Sequence, residues 1–162
     1  MMDHLAYACL TRPCENGFAD RECLHWVTPD LKGESLTYAT FEEQSNRIAN
    51  VLHDLGIQSG DVVSIFLPRS PILISAFFGI LKKLALACML FSTLGEEALL
   101  DRLGNSETTV VITKRSFAHK ILAIRSQLPS LKAILVVDSD ADPGDGVLSL
   151  QRLMSKGRIA GT

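Results

Sequence analysis

Cysteine is sparse in this sequence and poorly spaced for metal or redox work. Cys9, Cys14, Cys23 and Cys88 form no C-x-x-C pair, the arrangement expected of a structural zinc site or a dithiol centre. His4 and His25 flank the first three, but free thiols in a reducing cytosol are the expectation. An excess of charge of one sign is also missing. Sixteen Lys and Arg face 18 Asp and Glu for a formal net charge of −2, so no basic field marks a nucleic-acid or anionic-membrane partner. The lone Lys114-Arg115 pair reads as a solvated helix entrance.

Sequence signatures of catalysis are absent as well. No G-x-G-x-x-G or P-loop run follows a strand-like segment, so no phosphate cradle is assigned. Neither H-E-x-x-H nor G-x-S-x-G occurs, which removes the usual zinc-protease and serine-hydrolase readings. Glu96-Glu97 resemble a catalytic carboxylate pair only superficially, because they follow Gly95 in a first helical turn, where negative charge meets the helix dipole favourably. Cys88 lies in an apolar run without a neighbouring histidine, as expected of a buried, inert thiol. The acidic stretch 138–146 lacks the closing glutamate of a calcium loop and reads as a solvated loop.

No membrane element is expected. Asp3 stands where a secretory leader carries basic residues, and Arg12, Pro13 and Glu15 interrupt the apolar stretch that follows. Ile72 to Phe91 has about the length of a membrane span. However, Lys82 and Lys83 sit near its middle, where each lysine opposes insertion by roughly 3 kcal/mol. A buried helix followed by a buried strand accounts for the same residues.

What the sequence does contain is a repeated alternation of helical and strand patterns. Thr40 and Glu43 form an S/T-x-x-E capping box, after which Phe41, Ile48, Ala49, Leu52 and Leu55 share one helical face. Gly56 is the expected stop. Val62 to Leu67 is a short strand, apolar on both sides and closed by Pro68. Ser70 caps a second helix with Pro71 in its first position. That helix, Ile72 to about Leu84, is apolar nearly all round and should be sandwiched. A strand over Ala85–Phe91, a helix over Glu96–Leu103 ended by Gly104, and a strand over Thr108–Thr113 follow. The series closes with a helix over Ser116–Leu128 stopped by Pro129 and a strand over Ala133–Val137.

This order predicts an α/β fold, a parallel sheet with right-handed crossovers and helices on both faces. A small antiparallel ribbon, Leu24–Thr28 with Ser35–Tyr38 around a turn-rich loop, precedes it. Three parts result: an N-terminal segment and ribbon over 1–39, the α/β subdomain over 40–137, and a loop and frayed tail over 138–162, with Met154–Thr162 frayed.

Several segments resemble a known family. Leu36-Thr37-Tyr38-Ala39-Thr40-Phe41, with Glu43, Ser45-Asn46-Arg47, Ala49-Asn50-Val51-Leu52 and Leu55-Gly56, is similar to the first core motif of the adenylate-forming enzymes. Gly60-Asp61-Val62-Val63 and Leu67-Pro68-Arg69-Ser70-Pro71 continue it in register, and Leu81-Lys82 through Leu90 resembles the second motif. Pro68 to Pro71, Leu90-Phe91 and Ala98 to Ser106 look most like the acetate and short-chain acyl-CoA synthetases. Upstream, Leu5-Ala6-Tyr7, Arg12, Asn16-Gly17 and Asp20 resemble the segment that precedes the ribbon in that group. The similarity spans about residues 5 to 155. It departs from the pattern at Leu84 and Met89, where the family has glycine and proline, and at Thr11 and Pro13. Leucine at position 84 is expected to strain the turn between helix and strand.

The resemblance implies an AMP-forming acyl-CoA synthetase. Such an enzyme activates a carboxylate with ATP and magnesium to an acyl-adenylate and then passes the acyl group to coenzyme A. The family's phosphate loop, magnesium ligand, ribose-binding aspartate and mobile-domain lysine lie downstream of the matched region. The chain is therefore expected to be an N-terminal fragment, inactive alone, with no catalytic residue to carry over and no tight hold on ATP, Mg2+ or coenzyme A. In some members, basic side chains after the third helix-flanked strand approach the coenzyme A phosphate. His119 and Lys120 lie in that neighbourhood without matching the family's arginines. The implied partner is the remainder of the synthetase, or a second copy through exposed apolar surface. The alternative reading is a free-standing α/β binding or regulatory module derived from this subdomain.

Overall fold

The computed structural model describes residues 4–156. Two wide, π-type helical turns, Tyr7–Thr11 and Cys14–Phe18, open the fold. An antiparallel ribbon follows, β1 (Glu22–Val27) with β2 (Gly33–Thr37). The main body then runs α1 (Tyr38–Asp54), β3 (Val62–Phe66), α2 (Pro71–Lys82), β4 (Leu86–Leu90), α3 (Glu96–Asn105), β5 (Val110–Thr113), α4 (Arg115–Ile124), β6 (Ala133–Val136), β7 (Val147–Ser149) and α5 (Leu150–Lys156). Its sheet has five strands in the order β4-β3-β5-β6-β7, every pairing parallel. Parallel sheet and preceding ribbon agree with the expected fold class.

Each face of the sheet has its own core. On one face Val63, Ile65, Val110, Ile112 and Leu135 meet Ile48, Leu52 and Ile80 from α1 and α2, and Leu150 from α5. On the other, Phe66, Val111, Ile134 and Val136 meet Leu99 and Leu103 of α3 and Ile121 of α4. The alternation along each strand thus divides the chain's apolar side chains between two helical layers, as parallel strands require. A third, smaller cluster around Leu10, Leu36 and Phe41 seats the N-terminal segment on α1.

Helices α1 and α2 come into close contact at Gly79, where a Cβ would lie 2.7 Å from Ile48 Cγ2 and 3.0 Å from the Ser45 carbonyl oxygen. Glycine here serves the approach of two helices rather than a turn. The pair is locked by polar groups at its margin. The Ser75 hydroxyl donates to Gln44 Oε1 at 2.6 Å, and Lys82 Nζ donates to Glu42 Oε2 and Asn46 Oδ1, each at 2.7 Å.

Helix termini differ from the sequence expectation in an orderly way. Helix α1 begins at Tyr38, and its cap is Thr37, whose hydroxyl accepts from the Thr40 amide at 3.2 Å. Thr40 therefore stands three residues inside the cap, and Glu43 pairs with Arg47 at 2.6 Å instead of reaching back. Ser70 occupies the cap position of α2, but its hydroxyl donates to the Pro68 carbonyl rather than accepting from the helix.

At their C-termini α1, α2 and α3 end alike. In each, the amide two residues past the cap donates back across the last turn: Ile57 to Leu52, Ala85 to Ile80 and Thr108 to Leu103. The residue between must be left-handed. It is Gly56 in α1, but Leu84 (φ 58°) in α2 and Glu107 (φ 52°) in α3. Helix α3 thus runs through Gly104, which does not stop it. Leu84 adopts the conformation a glycine would favour.

Two further corrections concern the sheet. Ala85–Phe91 is not a buried strand: β4 is the outermost strand, and Leu86 (57%), Met89 (54%) and Phe91 (79%) are exposed. Cys88 is accordingly half-buried. Second, the acidic stretch 138–146 is followed by a fifth strand, β7, and by α5, which the polar sequence concealed. Asp142 organises that return. It accepts the Ser149 amide at 2.8 Å and both arms of Arg152, at 2.8 and 2.6 Å. These contacts, the Ser149 amide foremost, hold its carboxyl below the usual range. Of the tail expected to fray, Met154–Lys156 belong to α5, and residues 157–162 lie outside the described residues.

A left-handed non-glycine residue costs about 1 kcal/mol or more, and the Leu84 side chain is mostly exposed. Leu84→Gly is therefore expected to stabilise the chain by about 1 kcal/mol despite the larger unfolded-state entropy of glycine. The gain should appear as a higher urea midpoint at unchanged m-value; an unchanged or lower midpoint would show that the turn carries no strain.

Candidate functional site at the carboxyl edge of the sheet

In open α/β sheets, ligands sit beyond the carboxyl ends of the strands, where successive connections leave for opposite faces. Here that place lies between β3 and β5. The connection from β3 leads to α2 on one face, and that from β5 leads to α4 on the other. Phe66 to Ser70 and Thr113 to Arg115 border it.

The two strand ends are fastened together. The buried Thr113 hydroxyl donates to the Phe66 carbonyl at 2.8 Å. The Phe66 ring is fully buried, and its centroid lies 5.0 Å from that of Phe117. Lys120 covers both rings, with Nζ 5.9 Å from the Phe66 centroid and 5.6 Å from that of Phe117, and donates to the Leu94 carbonyl at 3.1 Å. Lys114 approaches Phe117 as well, at 5.4 Å. At the start of α4, the Arg115 amide donates to Asp138 Oδ1 at 2.7 Å, so the loop just past β6 supplies the cap that Lys114 cannot.

Beside β3 and β4 lies a groove of about 600 Å3, lined by Leu67, Leu73, Leu90 and Phe91 with Arg69, Ser92 and Thr93 as its polar members. This combination of apolar walls and few polar groups is what a small-molecule pocket requires. A smaller cleft of about 210 Å3 lies between α4 and the 143–147 loop, and Arg115, His119 and Asp145 line it.

His119 and Lys120 therefore do not act together. Consecutive on α4, they point apart: His119 to the smaller cleft, Lys120 to the aromatic pair and the Leu94 carbonyl. Arg115, read from sequence only as part of a helix entrance, is the cation that shares the cleft with His119. Arg69 was visible in sequence only as part of a family motif, since a lone arginine after a strand carries no signal by itself. Among the described residues, no group of three or more His, Cys, Asp or Glu side chains is placed to hold a metal ion. No step through magnesium is assigned to these residues.

Away from this edge, Lys82 and Glu42 form a largely buried ion pair, with side chains 9% and 20% exposed. Burial pushes the Lys82 ammonium below its ordinary range, and the hydrogen bond it donates to Glu42 pulls the other way. Thr11 adds its hydroxyl to both Glu42 oxygens at 3.1 Å. Burial, reinforced by the Glu42 charge, pushes the Cys14 thiol up, which disfavours the reactive thiolate.

The AMP-binding enzyme family matches residues 12–154, nearly the whole described chain. The chain belongs to that family. This AMP-binding family member is 34% identical over 145 residues to the acetyl-coenzyme A synthetase of Bacillus subtilis, covering 89% of this chain and 25% of that protein. It is 31% identical over 144 residues to the acetyl-coenzyme A synthetase of Mycolicibacterium smegmatis, covering 83% of this chain and 15% of that one. Among solved structures, an anthranilate CoA ligase, AuaEII, in complex with anthranoyl-AMP superposes with a TM-score of 0.80 at 25% identity, covering 97% of this chain and 28% of that chain. An acyl-CoA synthetase of Brucella canis gives 0.82 at 23% identity, with 96% and 28% covered, and supports the fold alone. The chain spans about a quarter or less of the length of these synthetase relatives.

No helix among the described residues is long and apolar enough to cross a membrane. Lys82, which interrupts the apolar stretch Ile72–Phe91, is instead the cation that joins α2 to α1. Removing its partner strands a buried charge, so Glu42→Ala is expected to cost roughly 3 kcal/mol. The paired replacement Glu42→Leu with Lys82→Met should recover most of that loss in the same denaturation assay. A double variant as unstable as Glu42→Ala would contradict this account.

Proposed function

We propose that this chain is the amino-terminal part of an AMP-forming acyl-CoA synthetase of the acetate type. In this reading it supplies the scaffold at whose sheet edge the acyl-adenylate chemistry takes place. The family match over residues 12–154 carries the reading, and acetyl-coenzyme A synthetases among the relatives favour a short-chain acid as substrate. The remaining length of those relatives is the partner that would bring the groups gripping ATP, magnesium and coenzyme A. Within the chain, the open groove beside Arg69 is the place where that remainder would complete a pocket.

By itself the chain is expected to be inactive. With ATP, acetate and labelled pyrophosphate it should give no exchange. Exchange should appear when it is joined in one polypeptide to the downstream three quarters of the Bacillus subtilis relative. Exchange by the unaided chain would overturn the proposal, and so would a folded but inactive fusion.

We further propose that His119, with Arg115 beside it, meets the phosphate of coenzyme A, while Lys120 acts as a structural clasp. In the active fusion, His119→Ala should raise the KM for coenzyme A several-fold at nearly constant kcat, the mark of lost uniform binding. Lys120→Ala should instead lower thermal stability and leave that KM unchanged. An unaltered coenzyme A KM in His119→Ala would remove the assignment.

A further inference from the structure

The two walls of the cleft beside His119 are held in different ways. One wall is α4, which carries Arg115 and His119 and packs on the sheet through Ala118 and Ile121. The other is the 143–147 loop, in which Gly144 (φ 103°), Asp145 (φ 53°) and Gly146 (φ 74°) are left-handed in succession. A left-handed residue other than glycine, such as Asp145, persists only where its surroundings over-determine it.

Two pins do so here. At the base of the loop, Asp142 accepts the Ser149 amide and both arms of Arg152, and so joins the two ends of the segment 142–149. Arg152 belongs to α5, whose Leu150 is fully buried in the core shared with α1. At the tip, Arg125 Nη1 donates to the Asp145 carbonyl at 3.4 Å. Gly146 makes room for that arm, since a Cβ there would lie 2.9 Å from Arg125 Nη1. Arg125 directly follows α4, so the tip is tied to the helix that carries His119. The tip bond is long. The base has three charge-assisted bonds of 2.6 to 2.8 Å, which are the stronger kind. Asp142 is therefore the main pin.

We propose that Asp142 is a positioning residue for the Arg115–His119 cleft: by closing the base of the 143–147 loop, it fixes the wall against which a phosphate is held. With coenzyme A as the source of that phosphate, this role rests on the synthetase reading above and adds a residue that does not itself touch the ligand. Arg115 and His119 are exposed on α4, and the loop closes one side of the space beside them. A wall already in place spares the ligand the cost of ordering it.

In the active fusion, Asp142→Ala should raise the KM for coenzyme A several-fold at nearly constant kcat, with the KM values for ATP and acetate unchanged. A general loss of stability does not produce that split. Asp142→Asn keeps an oxygen for the Ser149 amide but loses the charge that pairs with Arg152, and should fall between. Gly146→Ala disturbs the opposite end of the loop and should shift the same parameter in the same direction. In the unaided chain, Asp142→Ala should speed hydrogen exchange at the Val147 and Ser149 amides several-fold while Val111 and Ile134 keep their protection. If Asp142→Ala does not fold, Asp142→Asn and Gly146→Ala carry the same measurements.

His119→Ala, run alongside, separates the ways of failing. A raised coenzyme A KM in His119→Ala with flat values in the folded Asp142 and Gly146 variants would overturn the positioning role and leave the synthetase reading standing. A flat His119→Ala, or an inactive fusion, would remove coenzyme A from this cleft and the positioning role with it. Unchanged exchange at Val147 and Ser149 in Asp142→Ala would show that the loop is held without Asp142, which overturns the role whatever the fusion does.

Discussion

A parallel sheet is stable only when both of its faces are covered, and that requirement organises most of this chain. The strands β3, β5 and β6 are buried throughout or nearly so because α1, α2 and α5 lie on one side and α3 and α4 on the other. The close approach of α1 and α2 at Gly79, the Glu42–Lys82 pair at their margin and the Thr113–Phe66 bond at the strand ends are the local devices that keep those layers seated. Where the covering stops, at β4, the same chemistry leaves leucine, methionine and phenylalanine in water.

The interior of this arrangement was legible in the sequence because it depends on periodicity. Val62 to Leu67, the apolar face from Phe41 to Leu55 and the order of helices and strands give the parallel sheet without ambiguity. Edges and ends were not legible, for physical reasons. An apolar strand reads identically whether one neighbour or two will cover it, so Leu86 and Met89 gave no warning of exposure. A threonine at either position 37 or 40 satisfies a capping pattern, and only the extended backbone of Thr37 selects it. Strand β7 is three residues long and follows an aspartate-rich stretch. Its place in the sheet comes from Asp142 binding Ser149 and Arg152, a contact that spacing alone does not announce.

The candidate site divides in the same manner. His119 and Lys120 looked alike in sequence, two adjacent basic groups after a strand. Their positions on α4 send them to different surroundings, one to a cleft and the other to the Phe66 and Phe117 rings. The departure at Leu84 was readable, since only the comparison with a glycine-bearing motif marks leucine as out of place, and the left-handed backbone there agrees. Its counterpart Glu107 was unreadable, because Gly104 three residues earlier offered a more obvious stop.

The bond between Asp138 and the first amide of α4 has a bearing on selectivity. A helix start is ordinarily an inviting resting place for phosphate, yet this one already holds a carboxylate from the loop that follows β6. An incoming anion would have to evict that tenant. On the proposed reading, an anion held beside Arg115 and His119 would meet their side chains while the Arg115 amide stays engaged with Asp138.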